Sequence, residues 1–167
     1  MLDDILKNFA VFVDGRGYAG NAEEVTPPKL TEKTEEMRLG GMDAPLEVGL
    51  GMEKLECSFS LTKYDKAILK RFGLSPGNVT PLTLRGSLES EDGTKTPVVL
   101  NMRGKVKEID EGTWKAGEKA TLKITMPLSY YKRTHGGEVA HEIDVINMIR
   151  IIGGVDQLKE MRSHLGL

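Results

Sequence analysis

The chain has 167 residues, 39% hydrophobic and 29% charged, a globular composition that excludes a disordered chain. Lysine and arginine number 23, aspartate and glutamate 25, and the net charge of −2 argues against a surface built to grip nucleic acid. One cysteine, Cys57, excludes an intramolecular disulfide framework.

At about 150 residues per domain, the length predicts a single domain over residues 1–167. Residues 1–10 carry Asp3 and Asp4 and lack a basic region ahead of an apolar run, so they do not read as a signal peptide. Apolar runs elsewhere are a few residues long, against about 20 for a spanning helix. The expectation is a soluble protein made in a cytoplasm.

In chain order, an apolar strand at 9–13 leads into the turn pair Asp14-Gly15. Gly15, Gly17 and Gly20 (GRGYAG) have the spacing of a dinucleotide-binding turn. That site needs a helix starting at the turn, so that its free N–H groups meet the pyrophosphate. Here residues 21–26 run straight into Pro27-Pro28, which leaves no room for a helix. A glycine-rich turn is the better reading, and no cofactor is expected.

Residues 29–38 (KLTEKTEEMR) read as extended, yet they are charged on both faces. Lys33 and Glu35 share one face; Glu32, Thr34 and Glu36 share the other. An edge strand protected by charge, a loose surface helix, and a strand whose second face meets another subunit or a water-filled lumen all fit. The loop at about 38–46 comes next. It places Leu39, Gly40, Gly41, Met42, Asp43, Ala44 and Pro45 between two extended runs. It is either an ordinary hairpin tip or a docking loop, since apolar residues on a mobile tip are costly unless a partner covers them.

Residues 54–63 alternate: Leu55, Cys57, Phe59 and Leu61 on one face, Lys54, Glu56, Ser58 and Ser60 on the other. This is a half-buried strand. Cys57 lies on its apolar face and reads as a small buried hydrophobe, not a nucleophile. Ser60 to Lys63 matches S-x-x-K, but a strand is the wrong setting for that nucleophile. Residues 65–72 (DKAILKRF) switch to helical spacing, with Asp65 as N-cap and Gly73 past the end.

Three more alternating runs carry Leu82, Leu84 and Leu88; Val98, Leu100, Met102 and Val106; and Ala120, Leu122, Ile124, Met126 and Leu128. A fourth carries Val139, His141, Ile143 and Val145. Asp92-Gly93 and His135-Gly136-Gly137 read as tight hairpin turns, and 110–117 as a longer loop around Trp114. Three histidines late in the chain show no metal spacing. Residues 155–165 (VDQLKEMRSHL) predict a C-terminal helix with Val155, Leu158, Met161 and Leu165 on one stripe. The fold class is therefore mainly β: two packed antiparallel sheets, as a sandwich or partly open barrel, with one short internal helix and one C-terminal helix. No enzyme constellation emerges.

The segments GGMDAP (40–45), MRGKVKEID (102–110), WKAGEK (114–119), SYYK (129–132), EIDVINMI (142–149) and GVDQL (154–158) occur in this order, after the opening FVDGRGYAG (12–20). Together they make the chain resemble the major tail tube proteins of contractile-tailed bacteriophages and R-type pyocins. The resemblance implies a non-enzymatic subunit without cofactor or metal. Homo-hexameric rings would stack into a hollow tube, with strands of neighbouring subunits merging into a barrel around the lumen. The loop of Leu39 to Pro45 would reach the adjacent ring. Implied partners are the contractile sheath, the baseplate and the tail terminator. DNA would pass without specific binding, in a virion tail or phage-tail-like particle assembled in the host cytoplasm. On this reading Lys33, Glu35, Lys54, Glu56, Ser58 and Ser60 are the candidate lumen-facing residues. Two lysines against two glutamates make a neutral wall, which suits a conduit because each phosphate contact adds affinity. The alternatives are a type VI secretion-like tube protein and a monomeric ligand-binding β-barrel.

Overall fold

The longest strand, β10 (Leu122–His135), joins two halves of the structure, a computed structural model that describes residues 1–73 and 77–167. Its first half pairs with β6 (Leu55–Leu61) on one side and β9 (Glu108–Asp110) on the other. Its second half pairs with β8 (Lys95–Gly104) and β11 (Glu138–Asp144). The register shifts between Leu128 and Tyr130. This bulge reverses the alternation, so Leu122, Ile124, Met126 and Leu128 are buried before it and Tyr131 after it. Gly104 lies against the bulge, where an added Cβ would come within 2.1 Å of the Pro127 carbonyl oxygen.

From β8 the sheet continues through β7 (Thr80–Glu89) and β1 (Ile5–Val13) to β2 (Arg16–Gly17). From β11 it continues through β12 (Ile149–Ile152) to β13 (Val155–Asp156). On the other half, β3 (Ala22–Thr26) pairs with β6. All these pairings are antiparallel. One buried cluster draws Cys57, Phe59 and Leu61 from β6, Leu82 and Leu84 from β7, and Leu100 and Met102 from β8. The expected two packed antiparallel layers are present as two halves that share β10, so their strands are also hydrogen-bonded into one sheet around a common core.

Helix α1 (Lys66–Leu69) begins where expected. The Asp65 carboxylate accepts the Ala67 N–H at 2.9 Å and the Tyr18 hydroxyl at 2.7 Å. Those bonds, the backbone N–H first, hold its carboxyl below the ordinary range. The GRGYAG segment thereby serves the fold: Asp14 and Gly15 both take positive φ in the turn into β2, and Tyr18 anchors the start of the β3 arm.

Three local expectations need correction. Of the Asp92-Gly93 pair only Gly93 has positive φ, and the Asp92 carboxylate instead accepts the Thr94 N–H. Val145 is not on an apolar strand face: β11 ends at Asp144, whose carboxylate accepts both the N–H and the amide of Asn147, leaving Val145 and Ile146 exposed in the turn. The C-terminal helix α2 spans only Lys159–His164 and buries nothing. The preceding glycine pair makes a tight turn, which draws Val155–Asp156 into strand pairing with β12. The stripe of Val155, Met161 and Leu165 is exposed.

Candidate functional site: an unpartnered hairpin

Among the described residues the remaining strands, β4 (Glu32–Met37) and β5 (Leu46–Met52), pair only with each other. They continue the β3–β6 ribbon. β3 ends at Thr26 just before Pro27-Pro28, which cannot donate to a ladder, and β6 begins three residues after β5 ends. The Glu53 N–H donates to the Thr31 carbonyl at 2.9 Å and holds the two sides together across the break. Residues 29–38 are therefore one arm of a projecting hairpin, exposed along all of β4.

Register sorts this hairpin into two unlike faces. Glu35 lies opposite Val48 and Met37 opposite Leu46, so alternation puts Lys33 and Glu35 on the apolar face. Leu46, Val48 and Met37 are 63, 38 and 38% exposed there. Thr34 lies opposite Gly49 and Glu36 opposite Glu47, with the Glu32 side chain folded over Gly49. That second face is acidic. Alternation along β4 puts Lys33 with Glu35 as expected, but their face is apolar and not polar, because the register sets Leu46 and Val48 of β5 beside them. The extra β5 residue opposite Lys33 is accommodated at Gly51, whose φ is +99°.

At the tip the Met42 N–H donates to the Leu39 carbonyl at 3.1 Å, closing a turn with Gly41 at φ +87°. Arg38 Nε donates to the Met42 carbonyl. Leu39 is 70% exposed; Gly40, Gly41, Asp43, Ala44 and Pro45 are exposed and Met42 half-buried.

The remaining lumen candidates lie on or beside β6. Lys54 Nζ is 3.3 Å from Glu56 Oε2, which also lies 3.6 Å from Lys107 Nζ. Lys54, the nearer cation, leads in holding the Glu56 carboxyl below its ordinary range. Ser58 is half-buried, but Ser60 is only 5% exposed, so it presents nothing to a channel and leaves the set. On the opposite face of β6 the Cys57 thiol is fully buried, its pKa pushed up to about 12 by desolvation, which makes it inert as a nucleophile. Among the described residues, no three His, Cys, Asp or Glu side chains gather as metal ligands. No helix among them is long and apolar enough to cross a membrane.

The fold is an antiparallel sheet around a buried core with a hairpin whose apolar face is exposed, the kind of surface that marks interaction sites. The chain belongs to the phage tail tube protein FII family, whose profile matches residues 3–166. It is 39% identical over 166 residues to the tail tube protein of Escherichia phage P2, covering 97% of this chain and 96% of that protein. It is 32% identical over 146 residues to the major tail tube protein of Serratia phage KSP20, covering 86% and 84%. Among solved structures, the sheath–tube complex of an extracellular contractile injection system, PVC, in the extended state contains a chain with the same fold. The TM-score is 0.58 at 14% identity, over 76% of this chain and 88% of that one. A chain of the sheath/tube terminator of the same system matches with the same score at 15% identity, over 76% and 93%.

Proposed function

We propose that this chain is the structural subunit of the inner tube of a contractile tail or phage-tail-like particle, without catalysis or cofactor. Copies join into hexameric rings, and the rings stack into a hollow conduit inside a sheath, anchored on a baseplate and closed by a terminator. The observation that carries this is the β4–β5 hairpin: in a chain of the tail tube family, an exposed sheet with one apolar face needs a neighbouring copy to cover it. Lys33 and Glu35 then serve contact between copies, and Leu39 to Pro45 reach the adjacent ring. Lys54, Glu56 and Ser58 form the lumen wall, near-neutral enough for DNA to slide past.

Negative-stain electron microscopy tests this on concentrated protein, alone and seeded with purified baseplate. Hollow rings or tubes of uniform width are expected. Small monodisperse particles under both conditions would contradict it.

A further inference from the structure

The hairpin and helix α1 lie beyond opposite ends of β6. The hairpin leaves before Leu55, and α1 comes after Leu61. Seven strand residues separate them by roughly 20 Å. Their charges are opposite. Between residues 31 and 53, six acidic side chains (Glu32, Glu35, Glu36, Asp43, Glu47, Glu53) stand against two basic ones, Lys33 and Arg38, a net −4. Between residues 62 and 73, Lys63, Lys66, Lys70 and Arg71 stand against Asp65, a net +3 that falls to +2 once Asp14, the partner of Arg71, is counted. Lys63, Lys66 and Lys70 are exposed and make no ion pair among the described residues. Of the nearby acids, Glu23 pairs with Lys119, Glu118 with Lys115 and Asp14 with Arg71, while Glu111, whose carbonyl accepts the Tyr64 hydroxyl, makes no ion pair among the described residues.

The separation is about twice the Debye length of roughly 8–10 Å at physiological salt, so the two ends do not neutralise each other within one chain. The acidic hairpin and the basic α1 end differ in shape and charge, so a contact between them is head-to-tail. Such a contact either closes into a ring or repeats as an open stack, and because the two ends lie beyond opposite ends of β6 it is placed here between stacked rings. We infer that rings stack by charge complementarity, with the acidic hairpin face of one copy seated on the α1 end of a copy in the next ring. This rests on the tube reading above and adds the receiving surface and the force that selects it. Like ends repel, which fixes one polarity of stacking.

The test is polymerisation of charge variants, scored by sedimentation and electron microscopy with baseplate seeds at low and high salt. Lys66→Glu with Lys70→Glu reverses the receiving end; Glu36→Lys with Glu47→Lys reverses the hairpin. Each double variant alone is expected to lose about tenfold or more of its polymer at low salt, while the wild type loses polymer as salt rises. Mixing the two variants, or joining all four changes in one chain, is expected to restore polymer to within about twofold of wild type, because unlike ends again meet. A misfolded variant is not rescued by mixing. Wild-type tubes with undiminished double variants, or with losses that neither mixing nor the fourfold variant repairs, overturn the inference and leave the tube reading standing. A wild type that never polymerises overturns both.

Discussion

Glu36 and Glu47 lie directly opposite each other across the β4–β5 hairpin, like charges on one sheet face. Such a pair opposes hairpin formation by about 0.2–1 kcal/mol in an isolated subunit. On the charge-complementary stacking inferred above, a cationic surface of another copy offsets this cost. Glu47→Thr is therefore expected to slow amide hydrogen exchange along β4 and β5 in the unassembled protein while reducing assembly. Faster exchange in the variant would show that the pair is not repulsive in its setting.

The tip separates assembly from folding. Leu39 to Pro45 lie beyond both strands and largely in solvent, and surface changes of that kind shift stability by about 0.5 kcal/mol or less. Deleting 39–45 behind a short glycine linker should leave the melting temperature within a few degrees and abolish stacking. A deletion variant that still forms long tubes would remove the tip from the inter-ring contact.

Tyr18 and Asp65 make a pH-sensitive joint between the β2 turn and α1. The Asp65 carboxyl titrates below its ordinary value of 3.8 in the folded chain, so in that acid window the unfolded chain binds more protons. Its stabilisation is complete above pH 3.8 and is lost as pH falls through the lower folded value. Tyr18 shifts the other way: burial, then the Asp65 bond, raises it above 10.0, so its contribution is complete below pH 10 and fades as pH rises further. Tyr18→Phe should cost about 1–3 kcal/mol at neutral pH by removing a partner from a buried carboxylate, and should flatten both limbs. Thermal melts across pH check this; parallel curves for variant and wild type would contradict it.

Gly104 is required by space, not by dihedral angle. A Cβ there meets backbone at the β10 bulge, which has no side-chain freedom to yield. Gly104→Ala should destabilise by about 2 kcal/mol or more, whereas Ala at the open, left-handed Gly93 should cost less. Denaturant unfolding of the two variants orders them; equal midpoints would sink the steric argument.

Much of the core was legible because alternation survives wherever one sheet face is dry. Leu55, Cys57, Phe59 and Leu61 read as buried and are buried, as are Leu82, Leu84, Leu100, Met102, Leu122, Ile124 and Met126. What failed depended on tertiary events that leave little local trace. The bulge after Leu128, on which the sequence pattern is silent, turns Tyr131 inward. The β12–β13 turn takes Val155 out of the helix. Ser60 alternates with Phe59 and Leu61 as a wet residue should, yet it is covered. At the site, the split of Lys33 and Glu35 from Glu32, Thr34 and Glu36 was readable from β4 alone. Which face is apolar was not, because β5 supplies Leu46 and Val48 and only the register joins them.

The most direct measurement is a cryo-electron-microscopy reconstruction of the assembled particle at side-chain resolution. In it β4 and β5 are expected to lie against other copies, with Met37, Leu46 and Val48 buried between chains and the tip of Leu39 to Pro45 entering the adjacent ring. A reconstruction in which the hairpin folds back on its own subunit, or stands in solvent with that face uncovered, would contradict it.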